Sequence, residues 1–259
     1  MAYASVNGVR LYYEEHGRGD TLLLVHGFAG TTEMWKPQVA PFSTSHRFIV
    51  YDMRGHGRSD APESVRDYSA ALVVEDQYQL LRRLGLQRCV IGGLSLGGYV
   101  TLRFWEKHPE MVRGMVLADT GPGYRNPRGG MEEWNHTRLE AAEVLTKQGM
   151  EGYLKSPYAA GQYYSGPDIM RNHKPHGLAN VALGVMISPL MPALEEIKVP
   201  TLIICGARDE GFLAASEYMH KRIKGSEKVI IPDAGHAANL DQPQAFDRAV
   251  VDFLQRHGL

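Results

Sequence analysis

Gly93-Leu94-Ser95-Leu96-Gly97 sets a hydroxyl between two glycines, entered from the apolar run Cys89-Val90-Ile91 and left along a helical pattern from Tyr99 to Trp105. In a strand-to-helix turn this sharp, a side chain at either flank would crowd the main chain. Glycines there leave the serine alone projecting. Gly98 supplies a further small residue where the helix must lie against a sheet. Ser95 is therefore a candidate nucleophile. The five-residue pattern also occurs in Gly- and Ser-rich loops, and the preceding strand and following helix distinguish this instance. No P-loop lysine follows, and the spacing lacks the second glycine of a dinucleotide G-x-G-x-x-G, so a phosphate cradle is not indicated.

A serine hydroxyl is a poor nucleophile at neutral pH. It needs a base to take its proton and a carboxylate to orient that base, here in the chain order serine, acid, histidine. Among 11 histidines, His236 stands out: it follows the strand-like Val229 to Ile231 within Asp233-Ala234-Gly235-His236, where active-site loops gather at the carboxyl ends of strands. Asp209, just beyond Thr201 to Gly206, is the leading acid, with Asp119 and Glu210 as alternatives; Asp233 reads as a turn residue and Asp241 as a helix cap. An oxyanion needs donors already in place. The Leu96 N-H, next after the nucleophile, is one; the Phe28 N-H, in the loop His26-Gly27-Phe28-Ala29-Gly30 after Thr21 to Val25, is the other, its ring walling a pocket. His26 reads as support for that loop.

These residues need strands to carry them. Tyr3 to Val6 and Val9 to Glu15 flank Asn7-Gly8, a dipeptide suited to a two-residue hairpin. Thr21 to Val25, Phe48 to Tyr51, Cys89 to Gly92, Met115 to Ala118, Thr201 to Cys205 and Val229 to Ile231 are apolar on both faces, as parallel strands covered on both sides require. Between them, Leu72, Val73, Leu80, Leu81 and Leu84 repeat at helical spacing, and Phe246, Val250, Phe253 and Leu254 form a stripe announced by Asp241 as N-cap and Pro243 in the first turn. The pattern predicts an α/β fold: a doubly wound, mostly parallel sheet with an N-terminal antiparallel hairpin. Tyr124 to Lys198 carries helical patterns and no convincing strand, too long for an ordinary connection. The expected organisation is a core of residues 1–123 and 199–259 with a helical cap over 124–198.

With 28 Lys and Arg against 29 Asp and Glu, the formal charge is −1, without the basic footprint of a nucleic-acid binder. The opening residues have no basic leader or apolar h-region, and no later run is apolar for long enough to span a bilayer. A soluble, cytoplasmic chain without a membrane partner is expected, as a monomer or homodimer. Cys89 and Cys205 lie inside apolar strand-like runs and read as buried small hydrophobes. His173 and His176 lack a third ligand or HExxH spacing, so neither a metal nor any other cofactor is indicated.

From Thr21 to the end, the cap excepted, the chain resembles the α/β-hydrolase superfamily. The resemblance rests on His26-Gly27-Phe28, Asp52-Met53-Arg54-Gly55-His56-Gly57-Arg58-Ser59, Gly93 to Gly98, Gly206-Ala207-Arg208-Asp209 and Gly235-His236 in order. It implies Ser95, Asp209 and His236 as nucleophile, acid and base, and a structural role for the 52–59 turn, His56 included. Within the superfamily, Met34-Trp35-Lys36-Pro37-Gln38 and Gly235 to Pro243 look like small carboxylesterases and 3-oxoadipate enol-lactonases. Haloalkane dehalogenases and epoxide hydrolases carry aspartate where this chain has Ser95. The C–C bond hydrolases have asparagine and tryptophan where it has Leu94 and Ala237.

The resemblance implies hydrolysis of small carboxylic esters through an acyl-enzyme, with enol-lactone hydrolysis as the alternative and, in a different class, a triad-bearing receptor for small ligands. Tyr124, Trp134, Met186 and Met191, with Tyr153, Tyr158, Tyr163 and Tyr164, offer apolar surface for a modest ligand. An acidic lactone would want a cation, for which Arg125, Arg128 and Arg138 are candidates.

Overall fold

A computed structural model of the protein describes residues 2–123, 131–159, 170–187 and 193–259, with the main chain alone for 131–134. Eight strands, β1 (Ala2–Val6), β2 (Val9–His16), β3 (Asp20–Val25), β4 (His46–Tyr51), β5 (Cys89–Leu94), β6 (Val112–Ala118), β7 (Thr201–Gly206) and β8 (Glu227–Ile231), form one sheet in the order β1-β2-β4-β3-β5-β6-β7-β8. β1 and β2 pair antiparallel across Asn7 (φ 44°) and Gly8 (φ 76°), both left-handed as a two-residue hairpin demands, and β2 meets β4 antiparallel. From β4 to β8 every pairing is parallel. The doubly wound sheet read from the sequence is therefore present.

Alternate residues of the strands serve opposite cores. Leu23, Val25, Ile49, Tyr51, Ile91, Met115, Leu117 and Ile203 face one layer, where helices α2 (Ala70–Arg83) and α3 (Leu96–Lys107) contribute Val73, Leu80, Val100 and Phe104. Leu22, Leu24, Phe48, Val50, Val90, Val116, Leu202 and Ile204 face the other, against α1 (Lys36–Ser43) and the C-terminal helix 243–257 through Phe42, Phe246, Val250 and Phe253. Each such side chain contributes about 1.5–3 kcal/mol on full burial. The sheet that presents the loops is accordingly packed on both faces. Cys89 and Cys205 are unpaired and buried in it. No described helix is long and apolar enough to cross a membrane.

One boundary differs from expectation. Asp241 ends a short turn, Ala238–Asp241, and the N-cap of helix Pro243–His257 is Gln242, without a side-chain capping bond. The Asp241 carboxylate instead accepts the Gly235 N-H at 2.7 Å, within the His236 loop. Pro243 has no N-H to satisfy at the helix start, so the helix begins without the carboxylate.

In the stretch 124–198 no described residue is in a strand. A long helix, Met131–Lys155, breaks at Gly149 (φ 64°, ψ −164°), and a shorter one, Pro175–Val181, runs on into a wide turn at Ala182–Met186. The second of these sits directly on the 52–68 segment. Gly177 and Gly55 lie so close that a Cβ on either would overlap the other's carbonyl oxygen. His176 donates from Nε2 to Ala61 O at 3.0 Å, and Asn180 donates to Glu63 O at 3.0 Å. Beneath them, the 52–59 turn closes on itself: Asp52 accepts the Thr32 and Arg58 N-H groups at 2.7 and 2.9 Å, and Arg54 forms a buried bidentate pair with Asp76.

Three buried histidines, His26, His56 and His173, meet at this junction, with ring centroids 4.8 Å apart for His26 and His56 and 5.7 Å for His56 and His173. Burial pushes the pKa of His26 down to about 3 and of His173 to about 4, and holds His56 well below the usual imidazole range. Burial pushes the Asp52 carboxyl the other way, to about 6, against its two main-chain donors. Unfolded histidines titrate near 6.5, so acid favours the unfolded chain. Stability fully present above pH 6.5 is lost as pH falls towards 4, by about 2 kcal/mol per histidine between 6.5 and 5. The buried carboxyls of Asp52, Asp76 and Asp119, raised by burial, have the opposite sign, so the histidine contribution is read by difference. Between pH 7 and pH 5 the urea midpoint of His173→Gln should rise relative to that of the parent by about one proton's worth of slope. A pH dependence unchanged by the substitution would contradict burial of the neutral ring.

Candidate active site

At the end of β5 the chain reverses into α3 through a single residue. Ser95 adopts φ 55° and ψ −114°, a strained conformation for a side-chain-bearing residue, held by its N-H to Ala118 O at 2.9 Å and its carbonyl to the Thr120 hydroxyl at 2.7 Å. The flanking glycines are required by contact. A Cβ on Gly93 would overlap the main chain of Gly97, and one on Gly97 would overlap the carbonyl of Val25. Gly98 lies against the Thr120 side chain with no room for a methyl.

The Ser95 Oγ lies 3.0 Å from His236 Nε2, and His236 Nδ1 lies 2.7 Å from Asp209 Oδ2. A carboxylate only accepts, so Nδ1 carries the ring proton and donates it to Asp209, and Nε2 is left as acceptor for the Ser95 hydroxyl. Asp209 is nearly enclosed, while the imidazole keeps about a fifth of its surface exposed, 19%. The three side chains come from the ends of β5, β7 and β8. The structure thus brings the three candidate side chains together.

The alternatives for the acid are occupied elsewhere. Asp119 Oδ1 accepts the Gly206 N-H at 2.8 Å and its Oδ2 accepts the Ala238 N-H at 3.2 Å. Asp119 thus ties the start of the Asp209 loop to the segment just past His236, and burial holds its carboxyl well above the usual range. Glu210 is exposed on the first turn of helix Glu210–Arg222. Asp233 is a left-handed turn residue, φ 59°. Asp119, Cys205 and Asp209 form the one group among the described residues whose donors lie close enough to share a metal ion. Asp119 already serves two main-chain donors and Asp209 serves His236, and burial pushes the Cys205 thiol up, away from the thiolate a metal needs.

The acid and base loops are knit together by main-chain bonds: Ala207 N-H to Ile231 O at 2.9 Å and Arg208 N-H to Ala234 O at 2.8 Å. Asn239 continues the support, donating to Met34 O at 2.9 Å and to the Gln38 side chain at 3.2 Å. Two quoted sequence segments, 34–38 and 235–243, are therefore partners in space. Sequence reasoning missed Phe212, whose ring stacks on His236 with centroids 4.8 Å apart and 21° between planes. Its placement one turn into the helix after Asp209 was the available signal.

Among the described residues, no protein acceptor engages the Phe28 or Leu96 N-H. Leu96 opens α3, where the first amides have no intrahelical partner and the helix dipole favours negative charge. The Phe28 ring is buried, edge-on to Tyr153 at 6.4 Å and to His56 at 6.0 Å, between core and insertion. His26 supports its loop as anticipated: Nδ1 donates to Gly27 O at 2.8 Å, and Nε2 accepts the Met53 N-H at 3.0 Å. His173 likewise bonds main-chain groups, as does His176.

Of the apolar residues proposed to line a pocket, Met186 is half-buried against the core, and Tyr153 is fully buried with its hydroxyl donating to Tyr158 O. Tyr158 donates to Glu140 at 3.0 Å. Tyr124, Met191, Tyr163, Tyr164, Arg125, Arg128 and the side chain of Trp134 lie outside the described residues.

Residues 20–243 match the family model described as alpha/beta hydrolase fold. A Bacillus subtilis protein named as a putative 2-succinyl-6-hydroxy-2,4-cyclohexadiene-1-carboxylate synthase is 32% identical, with 96% of each chain covered. Among solved structures, an enol-lactonase from Burkholderia xenovorans superposes with a TM-score of 0.87 at 27% identity, covering 98% of this chain and all of its own. A thermophilic esterase from Thermogutta terrifontis also reaches 0.87, at 29% identity and 99% coverage of both chains. With the family model covering strands β3 to β8, the serine turn and the histidine loop, the chain belongs to the alpha/beta hydrolase fold family.

Proposed function

We propose that the protein hydrolyses small carboxylic esters through an acyl-enzyme. The observation that carries this reading is the unbroken hydrogen-bond chain Ser95 Oγ, His236 Nε2 and Nδ1, Asp209 Oδ2. As the substrate carbonyl is attacked by Ser95, His236 takes the hydroxyl proton and then gives it to the leaving alcohol. Asp209 holds the ring in the required tautomer and stabilises the imidazolium. The carbonyl oxygen gains its charge between the N-H groups of Phe28 and Leu96, each such donor being worth about 10² to 10³ in rate. Water, deprotonated by His236, then releases the acid by the reverse route.

On this reading, residues 1–123 and 199–259 carry the chemistry, and the stretch 124–198 is a cap over the acyl group. Tyr124, Trp134, Met186 and Met191 are its candidate lining. No step calls for a metal or cofactor. The likeness to the Burkholderia enol-lactonase, equal in TM-score to the esterase, supports a second reading in which the ester is cyclic and the leaving oxygen stays tethered to the acyl group.

Rates on p-nitrophenyl esters of increasing acyl length, set beside simple lactones and an enol-lactone and ranked by kcat/KM, separate the two. Open-chain esters should lead on the first reading and lactones on the second. Inactivity on every member would move the assignment towards the synthase chemistry for which the Bacillus relative is named, and a single slow turnover with retained ligand would favour a receptor. Ser95→Ala should lower kcat by about 10⁶ and Asp209→Asn by about 10⁴. Retention of most activity in Ser95→Ala would end the proposal.

A further inference from the structure

The Phe28 N-H belongs to the same planar unit as the Gly27 carbonyl, and in a trans peptide the two point in opposite directions. Whatever grips the carbonyls of this loop therefore aims its amides. The turn is a demanding one: Gly30 N-H closes on Gly27 O at 3.0 Å, and Ala29, which is not glycine, stands at φ 58°. Two neutral imidazoles grip it. His26, from the loop itself, donates to Gly27 O, the carbonyl of the Phe28 peptide. His173, from the insertion, accepts the Gly57 N-H at Nδ1, 2.9 Å, which places its proton on Nε2, and that atom donates to Ala29 O at 3.0 Å. His56 fills the space between the two rings and packs against Phe28.

We propose that His173 is a positioning residue for the oxyanion donor: through Ala29 O it holds the left-handed turn that aims the Phe28 N-H, and through Gly57 it fastens that turn to the 52–59 segment. The inference rests on the acyl-transfer reading given above. It goes further by making the insertion a contributor to the rate, because a residue 144 positions from Ala29 completes the loop. His173 lies only two residues before helix Pro175–Val181, whose Gly177 is in main-chain contact with Gly55, so the ring is held by a rigid neighbour. At neutral pH it is uncharged, as both of its bonds require.

Three substitutions separate the bonds. A glutamine amide reaches where Nε2 lies and keeps the donor to Ala29 O; an asparagine amide reaches only where Nδ1 lies and keeps the acceptor for Gly57; leucine keeps neither. His173→Gln should stay within about threefold of the parent in kcat. His173→Asn and His173→Leu should lose about 10- to 100-fold in kcat with KM little changed, the scale of a misplaced donor. Affinity for an alkyl boronic acid, which becomes tetrahedral on Ser95, should fall in parallel with kcat/KM. Hydrogen exchange at the 28–30 amides should speed up in Asn and Leu and not in Gln. Equal losses in all three variants, unchanged kcat in Asn and Leu, or losses without faster exchange at 28–30 would overturn the proposal. If the parent hydrolyses no ester, the functional reading fails, and the exchange pattern alone still decides whether His173 sets the loop.

Discussion

The bond between the Ser95 hydroxyl and His236 Nε2 joins residues 141 positions apart, and it exists only because three loops leave one edge of a single sheet at fixed heights. A parallel sheet buried on both faces supplies that rigidity. Strands β5, β7 and β8 end together, and side chains just past their ends converge. The costs are local. Ser95 takes a left-handed conformation, repaid by its bonds to Ala118 and Thr120, and the glycines around it remove the side chains that would otherwise force α3 away from β3.

Asp119 shows how the same edge is held from behind. Its two oxygens are spent on the main chain of Gly206 and Ala238, so a buried carboxylate fixes the spacing of the acid and base loops without touching the imidazole. On the other flank, main-chain carbonyls of the 26–30 loop are held by His26 and His173. Phe28 joins the same contact by packing its ring into the insertion, while its amide meets no acceptor among the described residues. The supports of the Asp209 and His236 loops and of the 26–30 loop are thus separate constructions on either side of Ser95.

Much of this was legible in the residues. Strands apolar on both faces, Asn7-Gly8, and the glycines around Ser95 each report a local steric or burial rule, and such rules act over a few residues. What escaped reading depends on contacts between distant segments. Asp241 carries the composition of a cap but is drawn to the Gly235 N-H, an acceptor choice made by the folded loop. The packing of the Phe28 ring against Tyr153 and His56 likewise depends on segments far apart in the chain. The stacking of Phe212 on His236, the pairing of Gln38 with Asn239 and the grip of His173 on Ala29 all join segments whose proximity no local pattern encodes.

The central claim is that the hydroxyl at position 95, made reactive by its neighbour at 236, forms a covalent bond to the acyl carbon. Its most direct test is covalent labelling with a fluorophosphonate, followed by peptide mass spectrometry. One adduct per chain on the peptide containing Ser95, lost when His236 is replaced by alanine, is the predicted result. Labelling at another residue, or at Ser95 with undiminished speed in the absence of the imidazole, would contradict it.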